Sequence, residues 1–250
     1  MHPSTYPRGP ILLSTGAGIQ SRSRSRGDTP PYMPHTDSNQ GPIRSRHDGR
    51  SPMPATLTTT APVWTLNLGD DENRFSPDWL TQVDEALATV RDSSEPIALC
   101  ITGSGKFFSN GLDLDWLQAN AGEWAPYVAR VQSVFSQTLT LPVPTVCAIN
   151  GHCFAAGAML ALACDYRVMR TERGFFCLPE VDINIPFSVG MSALIQSKLT
   201  PRTALDAMAT GRRYDAPAAL EAGIVDANCD VENLPEVAHA MVAELAGKTR

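Results

Sequence analysis

The chain has 250 residues, 43% hydrophobic and 18% charged, with 20 Pro, 18 Gly and a formal net charge of −6. That length suits one large domain or two small ones with a sizeable core, and no apolar run approaches the ~18 residues of a membrane span. Residues 1–52 carry a balance of +4 and the remainder −10, so the folded part is acidic and nucleic acid is not an expected partner.

Residues 1–52 hold eight Pro and an SRSRSR tract at 21–26. A segment so poor in periodic apolar residues cannot offset its ordering entropy, so a disordered leader is expected over 1–52 and a folded domain over 53–250. The simplest reading is an extension without catalytic importance ahead of Met53. A transit peptide, or a short RNA contact through the SR tract, is an alternative.

From Pro62 the pattern becomes orderly. Val63–Leu68 alternates like a strand. Ser76-Pro77 supplies an N-cap and a first-turn proline, which predicts a helix to about Arg91 with Leu80, Val83, Leu87 and Val90 on one face. Pro96–Thr102 reads as a buried strand, followed by the loop GSGKFFSNGLDLDW and a helix over Glu123–Leu139. Thr145–Asn150 is a second buried strand, Ala155–Cys164 a short apolar helix, and Tyr166–Met169 a third strand. Phe175–Leu178 is a short extended piece. Helices follow, capped at Thr200-Pro201 and Asp215, and the last is predicted over Pro235–Ala246. Strands alternating with helices, in short apolar runs, indicate an α/β fold with strands buried on both faces.

The six cysteines form no CxxC pair, and three of the five His precede residue 50. No zinc-ligand spacing exists, so no metal is expected, and the thiols are predicted to be buried and reduced in a cytoplasmic protein. Gly105-Lys106 fails as a phosphate loop because position 100 is Cys and Phe107 replaces Ser or Thr. His152 and Cys153 are adjacent, but neighbouring strand positions face opposite ways, so they read as structural rather than as a dyad.

Two glycine-bearing loops remain, Lys106–Leu114 and Asn150–Ala158, each directly after a buried strand. Glycine there lets a backbone come close to something. The second loop feeds a helix whose first N–H groups lack intrahelical partners. Converging, the two loops would offer two N–H donors to one oxygen; on spacing alone, ordinary tight turns fit equally well.

FFSNGLDL together with PVPTVCAINGHCFAAGAMLALACDYRVM resembles the crotonase family, the enoyl-CoA hydratases and isomerases. The resemblance runs from about Val63 to Asn228 and implies a spiral of ββα units with flanking helices, assembled as a homotrimer or hexamer. It implies an acyl-CoA thioester substrate, no separate cofactor, and a carbonyl oxygen held by two backbone N–H groups. By position these are Leu112 and Ala156, with Ser109, Asn110, Gly111, Asp113, Gly157 and Lys106 as substrate-binding neighbours. Lys106 and Arg74 are candidates to meet the CoA phosphates.

Hydratases of this family use two glutamates. The position three residues after the second donor is Met159 here, which cannot transfer a proton, whereas Glu180 stands at the other. One carboxylate suits a double-bond shift, so the chain is similar to the Δ3,Δ2-enoyl-CoA isomerase branch, with Glu180 as the proton shuttle in fatty-acid oxidation. Asp182 is a possible second acid. Hydration, another crotonase activity and non-catalytic acyl-CoA binding are the alternatives. Asn184 stands where relatives have Gly, and Asn tolerates positive φ. The ending at Arg250 predicts a shortened C-terminal helical region and a weakened assembly.

Overall fold

A computed structural model describes residues 53–248. The leader expected over 1–52 lies outside the described residues. The described residues open with strand β1 (Thr56–Thr58), which pairs antiparallel with β2 (Val63–Asn67). Helix α1 (Pro77–Arg91) starts where the Ser76-Pro77 signal places it, the Ser76 hydroxyl accepting from the Trp79 N–H at 3.3 Å. Leu80, Val83, Leu87 and Val90 are buried on its inner face. Each such side chain contributes about 1.5–3 kcal/mol, against about 1 kcal/mol for a cap, so packing holds this helix and the cap fixes its start.

Strand β3 (Ala98–Thr102) leads to β4 (Phe107–Ser109), then α2 (Leu114–Ala119) and α3 (Trp124–Leu139). Next come β5 (Thr145–Ile149), β6 (His152–Phe154) and α4 (Ala156–Ala163). Strands β7 (Tyr166–Arg170) and β8 (Phe176–Cys177) follow, then α5 (Val189–Lys198). Three times a strand is followed by a shorter strand and then by helix. The first strand of each unit joins a larger sheet, of order β1-β2-β3-β5-β7 and then β9 (Ala227–Cys229), and the second joins a separate sheet of order β4-β6-β8. This is the expected spiral of ββα units. From β2 onward the larger sheet is parallel, with Val63 opposite Ala98, Leu99 opposite Thr145, Val146 opposite Tyr166 and Val168 opposite Ala227.

Helices α6 (Pro201–Thr210) and α7 (Ala216–Glu221) carry the predicted caps, Thr200 and Asp215. Strand β9 (Ala227–Cys229) closes the larger sheet, and α8 (Leu234–Ala243) lies across it. Both faces of that sheet are buried. Leu99, Ile101, Cys147 and Ile149 face the main core with α1, α3 and α4. Ala98, Cys100, Val146 and Val168 face Leu234, Ala238 and Val242 of α8.

Strands β1, β4, β6 and β9 and helix α2 were not among the expected elements. Each of these strands is three residues long, too short for an alternating pattern to register. Asn184 takes φ +55°, as expected of its position. All six cysteines are free, and five of them are buried. Among the described residues no group of side chains could hold a metal ion, and no helix is long and apolar enough to cross a membrane.

Candidate active site

The parallel topology brings the C-terminal ends of β4, β6 and β8 side by side. Chain leaving β4 carries Asn110-Gly111-Leu112; chain leaving β6 carries Ala155 and the start of α4; chain leaving β8 carries Glu180 in a single 3₁₀ turn, Pro179–Val181. Two cavities open there, of about 290 and 170 Å³. Leu112, Glu180 and Ile185 line both.

The direction of each candidate donor is set by its own peptide plane. The Gly111 carbonyl accepts from the Phe75 N–H at 2.9 Å. In a trans peptide the following N–H, that of Leu112, points the opposite way. On the other loop the Ala155 carbonyl accepts from the Met159 N–H at 3.1 Å, which turns the Ala156 N–H outward at the first position of α4. Among the described residues neither N–H is taken up by a hydrogen bond. The two loops touch: a Cβ on Gly111 would lie 3.1 Å from the Ala156 nitrogen and 2.9 Å from the Ala155 Cβ. Gly111 itself sits at φ +83° and Ala155 at φ +50°. A positive φ at alanine is strained by about 1–3 kcal/mol and is kept only where the surroundings over-determine it.

Glu180 is 5% exposed. Its Oε2 is buried without a hydrogen-bond partner. Burial pushes its pKa up to about 7, opposed in part by a bond from its own backbone N–H. Among the described residues no cation pairs with it, so the shift is mainly desolvation. A carboxyl group tuned in this way can take and return a proton near neutral pH.

The remaining sequence-predicted residues divide. Asn110 lines the larger cavity beside Arg74 and Asp115. Ser109 is fully buried and lines neither cavity; its hydroxyl donates to the Asn73 carbonyl at 2.7 Å and accepts the Gly111 N–H at 3.1 Å. Gly157 packs so tightly on Ser109 that a Cβ would come within 2.6 Å of the Ser109 Cβ. The Asp113 carboxylate caps α2 through the Trp116 N–H. Lys106 is exposed, with its Nζ 5.2 Å from the centre of the Phe107 ring, and lines neither cavity. Arg74 is engaged by Glu72 and by Asp115, the latter at 2.7 Å. Asp182 is exposed and lines neither cavity. His152 stands among the rings of Phe107, Phe154 and Phe175 at 5.1–5.8 Å, while Cys153 is fully buried, so the pair forms no dyad.

Met159 is 1% exposed and lines the smaller cavity with Trp124, Val128, Phe187 and Met191. Apart from Glu180 and Ser188 its lining is apolar. These apolar walls were missed from sequence, because Trp124 and Val128 read only as members of a helix face. Asn73 and Tyr127 were missed too. The Tyr127 hydroxyl donates to the Phe75 carbonyl at 2.8 Å and accepts the Asp113 N–H at 3.0 Å. It ties the residue after Leu112 to Phe75, whose own N–H holds the Gly111 carbonyl on the other side.

A pair of outward amides and one buried carboxyl group thus open on the same cavities, on two sheets wound as ββα units. The chain belongs to the enoyl-CoA hydratase/isomerase family, whose sequence profile matches residues 59–250. It is 37% identical over 203 residues to enoyl-CoA delta isomerase 3 of Arabidopsis thaliana, covering 77% of this chain and 85% of the relative. It is 36% identical to the peroxisomal enoyl-CoA delta isomerase 2 of the same plant, covering 68% and 75%. Among solved structures, an enoyl-CoA isomerase of Mycobacterium tuberculosis superposes with a TM-score of 0.71 at 25% identity, covering 78% of this chain and 85% of that one.

Proposed function

We propose that the protein is an enoyl-CoA isomerase that moves the double bond of a 3-enoyl-CoA to the 2-position, in fatty-acid oxidation. The acyl chain lies in the apolar cavity beside Met159, and the thioester carbonyl meets the Leu112 and Ala156 N–H groups. The Glu180 carboxylate removes a proton from C2. The electron pair moves onto the carbonyl oxygen, giving a dienolate that the two amides stabilise more strongly than the neutral thioester. The protonated Glu180 then returns the proton to C4. The double bond comes to lie between C2 and C3, and no cofactor is consumed. Coenzyme A is part of the substrate.

The observation that carries this reading is the single buried, unpartnered carboxyl group shared by both cavities. Water addition to a 2-enoyl thioester calls for a second proton-transfer group, and Met159 is not one. Similarity to curated delta isomerases supports the same choice. Assembly as a trimer or hexamer is proposed from the family, and sedimentation of the full chain reads it.

The test is a coupled assay of the purified full chain across pH. With burial holding Glu180 near 7, its acid form prevails below that value and cannot accept the C2 proton. Activity (kcat/KM) on a 3-enoyl-CoA is therefore expected to rise with pH and level off above about 7. A flat profile from pH 5.5 to 8, or hydration of a 2-enoyl-CoA faster than isomerisation, overturns the assignment.

A further inference from the structure

The turn between β2 and α1 reads in sequence as a plain polar connection, yet Asn73 within it is 1% exposed and lies at φ +48°. Its Nδ2 donates to the Phe108 carbonyl at 3.0 Å and to the Phe107 and Gly69 carbonyls at 3.3 Å each. Its backbone carbonyl accepts from the Ser109 hydroxyl, which in turn accepts the Gly111 N–H. The next residues of the same turn complete the grip. The Glu72 carbonyl accepts the Asn110 N–H at 2.8 Å, and the Phe75 N–H donates to the Gly111 carbonyl at 2.9 Å. Every peptide from Phe107 to Gly111 is thus bonded to residues 69–75, either directly or through Ser109.

Buried polar groups in native proteins are satisfied with few exceptions, and the Asn73 Oδ1 is one of the exceptions. An orphaned amide oxygen and a left-handed backbone at one residue both cost stability. What they secure is the aim of one peptide. If the Gly111–Leu112 plane rotates, the Leu112 N–H leaves the thioester oxygen.

We propose that Asn73 is a positioning residue for the first oxyanion donor. It acts through Ser109 and the 69–75 turn on the Gly111–Leu112 peptide, without touching substrate. This rests on the oxyanion reading given above.

The experiment measures turnover together with the carbonyl stretch of a bound saturated acyl-CoA labelled with ¹³C at C1. Two amides on that oxygen polarise the bond and lower its frequency relative to solution. Asn73→Gly keeps the positive φ accessible and removes the side-chain amide. It is expected to lower kcat by about 10- to 100-fold, the scale of a small misplacement. KM should change less than threefold and the carbonyl shift should shrink toward the solution value. Asn73→Ala should be worse, since it adds backbone strain. Should either variant fail to fold, Ser109→Ala tests the relay at one hydroxyl and is expected to shift both readouts in the same direction. A folded Asn73→Gly or Ser109→Ala enzyme with the wild-type carbonyl shift overturns the proposal, whatever its turnover. Glu180→Gln separates this from the parent reading, because it should lose turnover and keep the shift. No shift in the wild-type complex would sink the oxyanion reading itself.

Discussion

Replacing Glu180 by Gln is expected to lower turnover of a 3-enoyl-CoA by about two to four orders of magnitude while raising the stability of the protein above pH 7. The two effects share one cause. Gln keeps the shape of the buried side chain but can neither accept nor return a proton. Its amide also escapes the desolvation that burdens the carboxylate. Burial moves the Glu180 pKa from 4.5 to about 7, so between those values the folded state binds more protons than the unfolded one. Stability therefore falls as pH rises through that window, by up to about 3 kcal/mol in all. The Gln variant is exempt from that loss. Its melting temperature should match the wild type near pH 4.5 and exceed it at pH 8. A gain in stability joined to a collapse in activity marks a group retained for chemistry against its own folding cost. Turnover of the variant within a few-fold of wild type would remove Glu180 from the mechanism.

Much of the fold was legible because its strands and helices carry strong local signals. Ser76-Pro77 marked the start of α1, and the apolar runs around Cys100 and Cys147 marked strands covered on both sides, which they are. Of the second sheet only β8 was legible, as the extended piece at Phe175–Leu178. The sheet's strands are FFS, HCF and FC, and runs of two or three residues have no period to read. They exist because the ββα winding lays them side by side, a tertiary cause that no local window contains. The site divides in the same way. Both glycine loops drew attention from composition, but Glu180 took its role from the resemblance, since a Glu after Pro179 reads by itself as a surface carboxylate. Its burial is what sets it apart from such a carboxylate, and burial here depends on walls contributed by α2, β6 and the segment 183–185. Asn73 was illegible for a plainer reason. The carbonyls its side chain bonds lie more than thirty residues further along the chain, except that of Gly69.

Gly111→Ala is expected to cost about 100- to 1000-fold in kcat/KM on a 3-enoyl-CoA, the scale for losing one oxyanion donor. A backbone N–H cannot be deleted by changing a side chain, so the test has to move it. Gly111 offers the lever: φ is +83°, and a methyl group there would meet the Ala155 Cβ at 2.9 Å and both the Ala156 nitrogen and the Phe154 carbonyl at 3.1 Å. The neighbours are largely backbone and cannot yield as a flexible side-chain tip would. Relief must come from separating the two loops or rotating the Gly111 peptide, and either disturbs the aim of the Leu112 and Ala156 N–H groups. Strain at the positive φ adds a stability loss of about 1–3 kcal/mol. Binding of a saturated acyl-CoA should weaken far less, because Trp124, Val128, Phe187 and Met191, which line the apolar cavity, lie outside both loops. Gly122→Ala supplies the control, as a Cβ there meets nothing within 4 Å; its kinetics should match the wild type. If Gly111→Ala turns over substrate as fast as that control, the thioester oxygen does not sit between these two loops.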